Sequence, residues 1–366
     1  MSASTLITSA PPSANSWPQY GTATNCPNST TRIPANGLDD VDSDDIAKTH
    51  GWFIRRERHS LRGHNCGTLS PCRIPHYNRT EINAMGPELV DYLLYEKEDN
   101  GLVWIKFNQP EKMNALVGTA EMNGTVAKVG EYMRAADDDA DIRIIILTGV
   151  GRGFCSGADL KGKAPPEVTG PAFTGDRGTA AGVDAARQHF FHGFTKLHRD
   201  ISQIRKPSIA MINGPAVGSG MDMALHCDIR IGCENTRFVG YQQAGQIIEN
   251  GGSYYLPKMV GLGRALEFAY TGHLDARRAY DWGLLNHLVG TDELEKTTRE
   301  LCARMLNIPP LVQWISKRIM RTALDTSLEN TMTLTSNAGG ILQNSADAKE
   351  ARQAFVEKRK PVFKGG

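Results

Sequence analysis

Between Leu102 and Ile231 the chain repeats one arrangement: a short apolar run, a turn of small residues, then apolar positions at helical spacing. Leu102 to Asn108, LVWIKFN, alternates Val103, Ile105 and Phe107 on one face, which predicts a strand. It ends in a turn, Gln109 to Leu116, that precedes an amphipathic helix running to about Arg134. Ile142 to Thr148, IRIIILT, is a continuous apolar run of strand length, as expected for a strand buried on both faces. Phe190, Phe194, Leu197, Ile201 and Ile204 recur at helical spacing. His189, His192 and His198 share that helix and are read as exposed or satisfied side chains. Next come a strand at Ile209 to Ile212, a turn at Asn213 to Gly220, and a helix through Met223, Ala224 and Leu225. Ile229 to Ile231 is a short strand, and Gly251 to Gly263 is a glycine turn into a helix. From an N-cap at Asp275 the chain reads as wholly helical, with a break at Asp281-Trp282-Gly283 and Pro309-Pro310 opening a further helix. Its last segment places Ala348, Ala351, Phe355 and Val356 on one face, suited to packing on a neighbour. Strands separated by helices imply right-handed crossovers and a mainly parallel α/β sheet.

The pattern is absent from the first 84 residues. Residues 1–38 are rich in Ser, Thr, Pro, Asn and Gly without an acidic residue, and an acidic run, Asp39, Asp40, Asp42, Asp44 and Asp45, follows. We therefore expect a low-complexity extension over 1–84, a folded core over 85–290 and a helical region over 291–366. His59, His64, Cys66, Cys72 and His76 match no zinc-site spacing, so no metal is expected. Lys+Arg 41 against Asp+Glu 40 gives a net charge of +1, which points to neither nucleic acid nor a membrane surface. Seven cysteines without a CxxC pair suit a reducing compartment, and the expected location is cytoplasmic.

Candidate chemistry gathers at two turns. Phe154 to Leu160 and Asn213 to Gly220 each follow a buried strand, so in a parallel sheet both can lie at the carboxyl ends of the strands. Amides from two such turns, converging on one oxygen, make an oxyanion hole. Asp222 follows two residues after Gly220, inside the first helical turn, where burial would raise its pKa and the amide dipoles would lower it.

Four ordered stretches carry a resemblance: NQPEKMNAL at Asn108 to Leu116, GRGFCSGADLKG at Gly151 to Gly162, KPSIAMINGPAVGSGMDMALHCD at Lys206 to Asp228, and AFVEKRKPVFKG at Ala354 to Gly365. Together they resemble the crotonase (enoyl-CoA hydratase/isomerase) superfamily. The resemblance implies a spiral ββα core with a C-terminal helical trimerisation region, assembled as a homotrimer or a dimer of trimers, acting on an acyl-CoA thioester without a further cofactor. By position it implies that the Ala158 and Ser219 amides hold the thioester oxygen. It also implies that the backbone of Cys155, Ser156, Gly157, Ala158, Asp159 and Leu160 holds the adenine. Lys112, Asn114, Ala115 and Lys161 would lie along the CoA, and Phe355 and Lys358 would close the nucleotide site, from this subunit or a neighbour.

The catalytic acids depart from the family pattern. Hydratases of the family use two glutamates; Asp222 matches the first, shortened by one methylene. The second falls near Tyr241, Gln242 and Gln243, where no carboxylate stands. Glu249 is the nearest carboxylate and Tyr241 the nearest phenol, and Ser219 replaces the usual glycine. A lone carboxyl cannot both hold a water and deliver a proton, so simple hydration loses support. The expected activity is of hydratase or isomerase type. A ring-opening carbon–carbon hydrolase acting on a cyclic 3-oxoacyl-CoA through an Asp and a Tyr is the alternative, suggested by KMNALVGT and by Arg177 to Thr179. A CoA-binding scaffold without catalysis is a third.

Overall fold

Ile144, Ile145 and Ile146 decide the architecture, because successive side chains of a strand point to opposite faces and both faces here are apolar. In the computed structural model, which describes residues 92–116, 125–159 and 194–365, they sit in β3 (Ile144–Gly149) near the middle of a six-stranded sheet. Its order is β1 (Leu93–Lys97), β2 (Leu102–Phe107), β3, β4 (Ser208–Ile212), β6 (Ile229–Cys233) and β9 (His287–Val289). A smaller sheet joins β5 (Pro215–Val217), β7 (Arg237–Val239) and β8 (His273–Asp275).

β2 through β9 of the large sheet run parallel, with Leu102 opposite Ile144, Ile145 opposite Ser208, and Ile209 opposite Ile229. Only β1 is antiparallel, Leu93 facing Phe107. The alternation splits the core in two. Val103, Ile105, Phe107, Ile145 and Leu147 pack with Val129 and Met133 of α1 (Thr125–Asp138), with Leu197 and Ile201 of α2 (Phe194–Ser202), and with Met223 of α3 (Ser219–His226). Leu102, Trp104, Ile144, Ile146, Ile209 and Ile231 pack on the other face against Leu294 and Cys302 of α7 (Leu294–Leu306). Fully burying one such side chain contributes about 1.5–3 kcal/mol, so the two-sided run holds the sheet's centre firmly.

Two edge strands are not anticipated by the sequence pattern, and each has a plain cause. β1 has a mixed pattern, two of its five residues being exposed, because it is an edge strand. The chain after Asp275 is not wholly helical: β9 adds a three-residue strand to the sheet edge, too short to show a period. Asp275 does cap a helix, α6 (Ala276–Asp281), accepting the Arg278 amide. The intervening helices are α4 (Gly252–Val260) and α5 (Leu262–Thr271). The C-terminal helices are α8 (Pro310–Ala323), α9 (Leu328–Asn344) and α10 (Ala346–Glu357). Within α10, Phe355 and Val356 are exposed and Ala348 and Ala351 are partly accessible, so the expected face is left open, while Asp347 and Ala354 are buried on another side. Asp228 ties α8 to the core, pairing with Lys317 and Arg321 at 2.8 Å each. Among the described residues no helix is long and apolar enough to cross a membrane. The cysteine and histidine candidates between His59 and His76, together with His189 and His192, lie outside the described residues.

Candidate active site

Short polar side chains sew the strand-end turns together. Asn114 adopts φ 59°, a left-handed geometry that Asn tolerates. Its Nδ2 donates to the Val150 and Gly153 carbonyls at 3.0 and 2.8 Å, and its Oδ1 accepts the Gln109 amide at 2.8 Å. The Asn114 side chain is thus spent inside the fold, where it shapes the turn. Asn213 does the same from the next turn, donating to Gly149 and Gly151 at 2.9 and 2.7 Å.

These ties bring the two candidate turns side by side. Cys155 bridges Ala216 in parallel register, its amide donating to Pro215 at 3.2 Å and its carbonyl accepting from Val217 at 2.9 Å. One step later Ala158 bridges Leu116 instead: the Leu116 amide donates to Gly157 at 2.7 Å and the Asp159 amide to Leu116 at 3.2 Å. The residue between such bonds turns its own N–H and C=O to the opposite side, so the Ala158 amide faces away from Leu116. Ser219 opens α3, and its amide therefore has no acceptor within the helix.

Tyr241 packs where this pairing ends. A Cβ on Gly157 (φ +73°) would lie 2.5 Å from the Tyr241 hydroxyl oxygen, and one on Gly218 (φ +51°) would lie 2.3 Å from its Cε2. The hydroxyl donates to the Ser156 carbonyl at 2.6 Å. Burial, with the nearby Cys155 and Asp159, pushes the phenol up to about 12. The hydroxyl is thus committed to the Ser156 carbonyl and stays protonated at neutral pH.

Asp222 lies one turn along α3 on the face shared by Ser219 and His226. It is 2% exposed, and Gly252 crowds it so closely that a Cβ there would fall 2.2 Å from Oδ1. Burial lifts its carboxyl well above the ordinary range; a long 3.5 Å contact from Asn250 Nδ2 opposes the shift and the charge of Glu249 adds to it. Glu249 is half-buried, and burial raises its own pKa. The charge of Glu249, the nearest carboxylate along the chain, thus acts on Asp222 in the folded protein.

Two histidines support this arrangement, and both were missed as site residues. His226 Nε2 donates to the Asn250 carbonyl at 2.8 Å and fixes the turn that carries Glu249. Burial lowers its pKa to about 4, the Asn250 bond opposing and the Arg321 charge assisting. His198 is buried on α2, with Nε2 3.0 Å from Ser219 Oγ and its ring centroid 4.9 Å from that of His226. Burial, and then His226, hold it neutral. The one signal for them was a polar stripe, Ser219, Asp222 and His226, along an otherwise apolar helix.

The other expected contacts scatter. Lys112 is exposed, and Ala115 is buried. Cys155 is fully buried, its thiol pushed up to about 12 by burial, which makes it a packing residue. Ser156, Ala158 and Asp159 are partly accessible; Leu160 and Lys161 lie outside the described residues. Phe355 is 86% exposed and Lys358 caps α10. Phe363, just beyond, lies against Arg143 at the amino end of β3, whereas the turns follow the carboxyl end.

Two adjacent strand-end turns, the second opening the helix that carries Asp222, with the charge of Glu249 acting on that carboxyl, form a layout suited to stabilising an enolate during proton transfer. The enoyl-CoA hydratase/isomerase family profile matches residues 97–366. A 1,2-epoxyphenylacetyl-CoA isomerase of Escherichia coli is 30% identical over 279 residues, covering 76% of this chain and 100% of its own length. A crotonyl-CoA hydratase of Syntrophomonas wolfei is 31% identical over 275 residues, covering 74% and 97%. The crystal structure of an enoyl-CoA hydratase from Bacillus anthracis superposes with a TM-score of 0.65 at 26% identity, covering 75% of this chain and all of that one. This chain belongs to the enoyl-CoA hydratase/isomerase family.

Proposed function

We propose that the protein acts on an acyl-CoA thioester as a hydratase or isomerase, holding the thioester oxygen between the Ala158 and Ser219 amides while Glu249 and Asp222 move the proton. The observation that carries this reading is the pair of carboxyls, both raised in pKa by burial, one of them on the helix that Ser219 opens. Glu249 is the more accessible of the two and takes the proton of the attacking water, or the α-proton of the substrate. Asp222 remains protonated and returns a proton to the enolate. Finding Glu249 beside Asp222 restores the support for hydration that the sequence pattern withdrew.

Ring-opening hydrolysis through an Asp and a Tyr has less support, because the Tyr241 hydroxyl is bonded to the Ser156 carbonyl. The carboxyl pair counts against a non-catalytic scaffold. Lys112 and the backbone of Cys155 to Asp159 are assigned to the CoA moiety, with no further cofactor. Assembly as a trimer, or a dimer of trimers, is supported by apolar side chains that the C-terminal helices leave exposed, among them Met320, Leu328, Met332, Ile341, Phe355 and Val356. In that assembly Phe355 and Lys358 reach a neighbour's nucleotide site. The free buried cysteines Cys155, Cys227, Cys233 and Cys302 fit a reducing, cytoplasmic setting.

The test is incubation with crotonyl-CoA and, separately, a 3-enoyl-CoA. Loss of conjugated thioester absorbance from the first identifies hydration; its appearance from the second identifies isomerisation. If neither changes, while a cyclic 2-oxo-carboxyl-CoA yields a dicarboxylic product, the assignment is wrong.

A further inference from the structure

The pairing of the 155 and 216 segments ends abruptly. A parallel ladder would continue past the Cys155–Ala216 bridge, and continued pairing would bring the amides of both strands back to backbone acceptors. Instead the pairing is confined to that one bridge, and at Gly157, just before Ala158, a Cβ would meet both the Val217 carbonyl of the other segment and the Tyr241 hydroxyl at 2.5 Å. The Tyr241 ring stands against Gly218. Its Cε2 and Cδ2 lie so close to Gly218 that a Cβ there would sit 2.3 and 2.6 Å away, and its hydroxyl lies against Gly157 in the same way at 2.5 Å. That hydroxyl donates to the Ser156 carbonyl at 2.6 Å and stands 3.4 Å from the Ala158 carbonyl, so it lies along the edge of the turn that faces away from Leu116. The Ala158 amide faces the same side. Tyr241 is itself held from below: Gly218 donates to Val239 at 2.8 Å, and Gly240 donates to Gly272 at 2.9 Å.

We propose that Tyr241 is the positioning residue of the anion hole, a wedge that keeps two adjacent strand-end turns apart and sets the spacing of the Ala158 and Ser219 amides. Its hydroxyl is bonded to the turn itself, at the Ser156 carbonyl, and acts through the backbone it holds. The ring separates the turns, and the hydroxyl fixes the peptide plane ahead of Gly157. Only glycine at 157 and 218 leaves room for the ring. This inference rests on the Ala158 and Ser219 amides being the oxygen-binding pair.

The experiment uses the full chain with Tyr241→Phe and Tyr241→Leu, and reads two things. One is turnover of crotonyl-CoA. The other is the equilibrium near-ultraviolet absorbance of the acetoacetyl-CoA enolate, formed as the C2 proton passes to buffer or a carboxylate, which reports how well the hole holds a charged oxygen independently of turnover. Phe keeps the wedge and loses one neutral hydrogen bond, so kcat should fall about fivefold. Leu loses the wedge, and a misplacement on the order of 1 Å should lower kcat about 100-fold. KM should change little, the pH profile of kcat should keep its shape in both variants, and bound enolate should fall in the order wild type, Phe, Leu. Loss of one limb of the pH profile in Phe would make Tyr241 an acid or base and overturn the proposal. So would equal kcat and equal enolate absorbance in wild type and Leu. Enolate absorbance missing from the wild type itself would strike the amide pair, and a Leu variant that melts like wild type yet loses enolate excludes simple unfolding.

Discussion

Acidification should act on this protein through its two buried histidines, His198 and His226, whose pKa values burial lowers. The His226 Nε2–H is bonded to the Asn250 carbonyl, so the ring's lone pair sits on Nδ1, which is buried without a partner among the described residues. A second proton at Nδ1 would be placed beside His198, against Tyr255 and near Arg321. The folded-state pKa is lowered from 6.5 to about 4, a difference that corresponds to about 3 kcal/mol. For a depressed histidine the unfolded chain binds more protons between those values. Stability is therefore complete above pH 6.5 and is lost as pH falls through 4. The loss is measured by urea unfolding of wild type and His226→Gln across that window, Gln keeping a donor for the Asn250 carbonyl. Asp222 and Glu249, whose shifts have the opposite sign, are common to both proteins and cancel in the comparison. The wild type should lose about 3 kcal/mol relative to the variant between pH 6.5 and 4. Parallel curves would refute the reasoning.

Ser219→Pro removes one amide while leaving a residue that suits the first helical position, so kcat should fall by about 10²–10³ with the fold retained; unchanged turnover would remove Ser219 from the anion hole. Glu249→Gln and Asp222→Asn should each lower kcat by about 10²–10⁴. In the wild type the acid limb of kcat/KM should lie above the usual carboxylate range, because burial raises Glu249, and Glu249→Gln should erase that limb. Asp222→Asn should also change stability: a carboxyl raised in the folded state favours folding while protonated, and that advantage disappears as pH rises through its raised pKa. The Asn variant should therefore melt above the wild type at alkaline pH and lose that lead at acid pH; a constant gap would contradict the burial of Asp222.

Local pattern determined much of this protein. The run Ile144 to Ile146 could only be a strand buried on both sides, and the apolar strand, small-residue turn and apolar helix from Ser208 to Leu225 could hardly fold otherwise. The four ordered motifs were enough to indicate the family. Periodicity and turn chemistry act over a few residues, and they are written in the chain for that reason. What the tertiary structure decided depends on groups far apart in sequence. Tyr241 meets Ser156 across 85 positions, and His198 meets Ser219 across 21. Glu249 joins Asp222 because His226 and the left-handed Asn250 bend the intervening turn back over α3. No local pattern encodes such meetings, since burial, and with it the raised carboxyls and neutral imidazoles, exists only after the core has closed. For that reason the sequence could place Asp222 at the site and name Glu249 and Tyr241 as candidates beside it, while only the packed structure put the charge of Glu249 on Asp222 and the Tyr241 hydroxyl on Ser156.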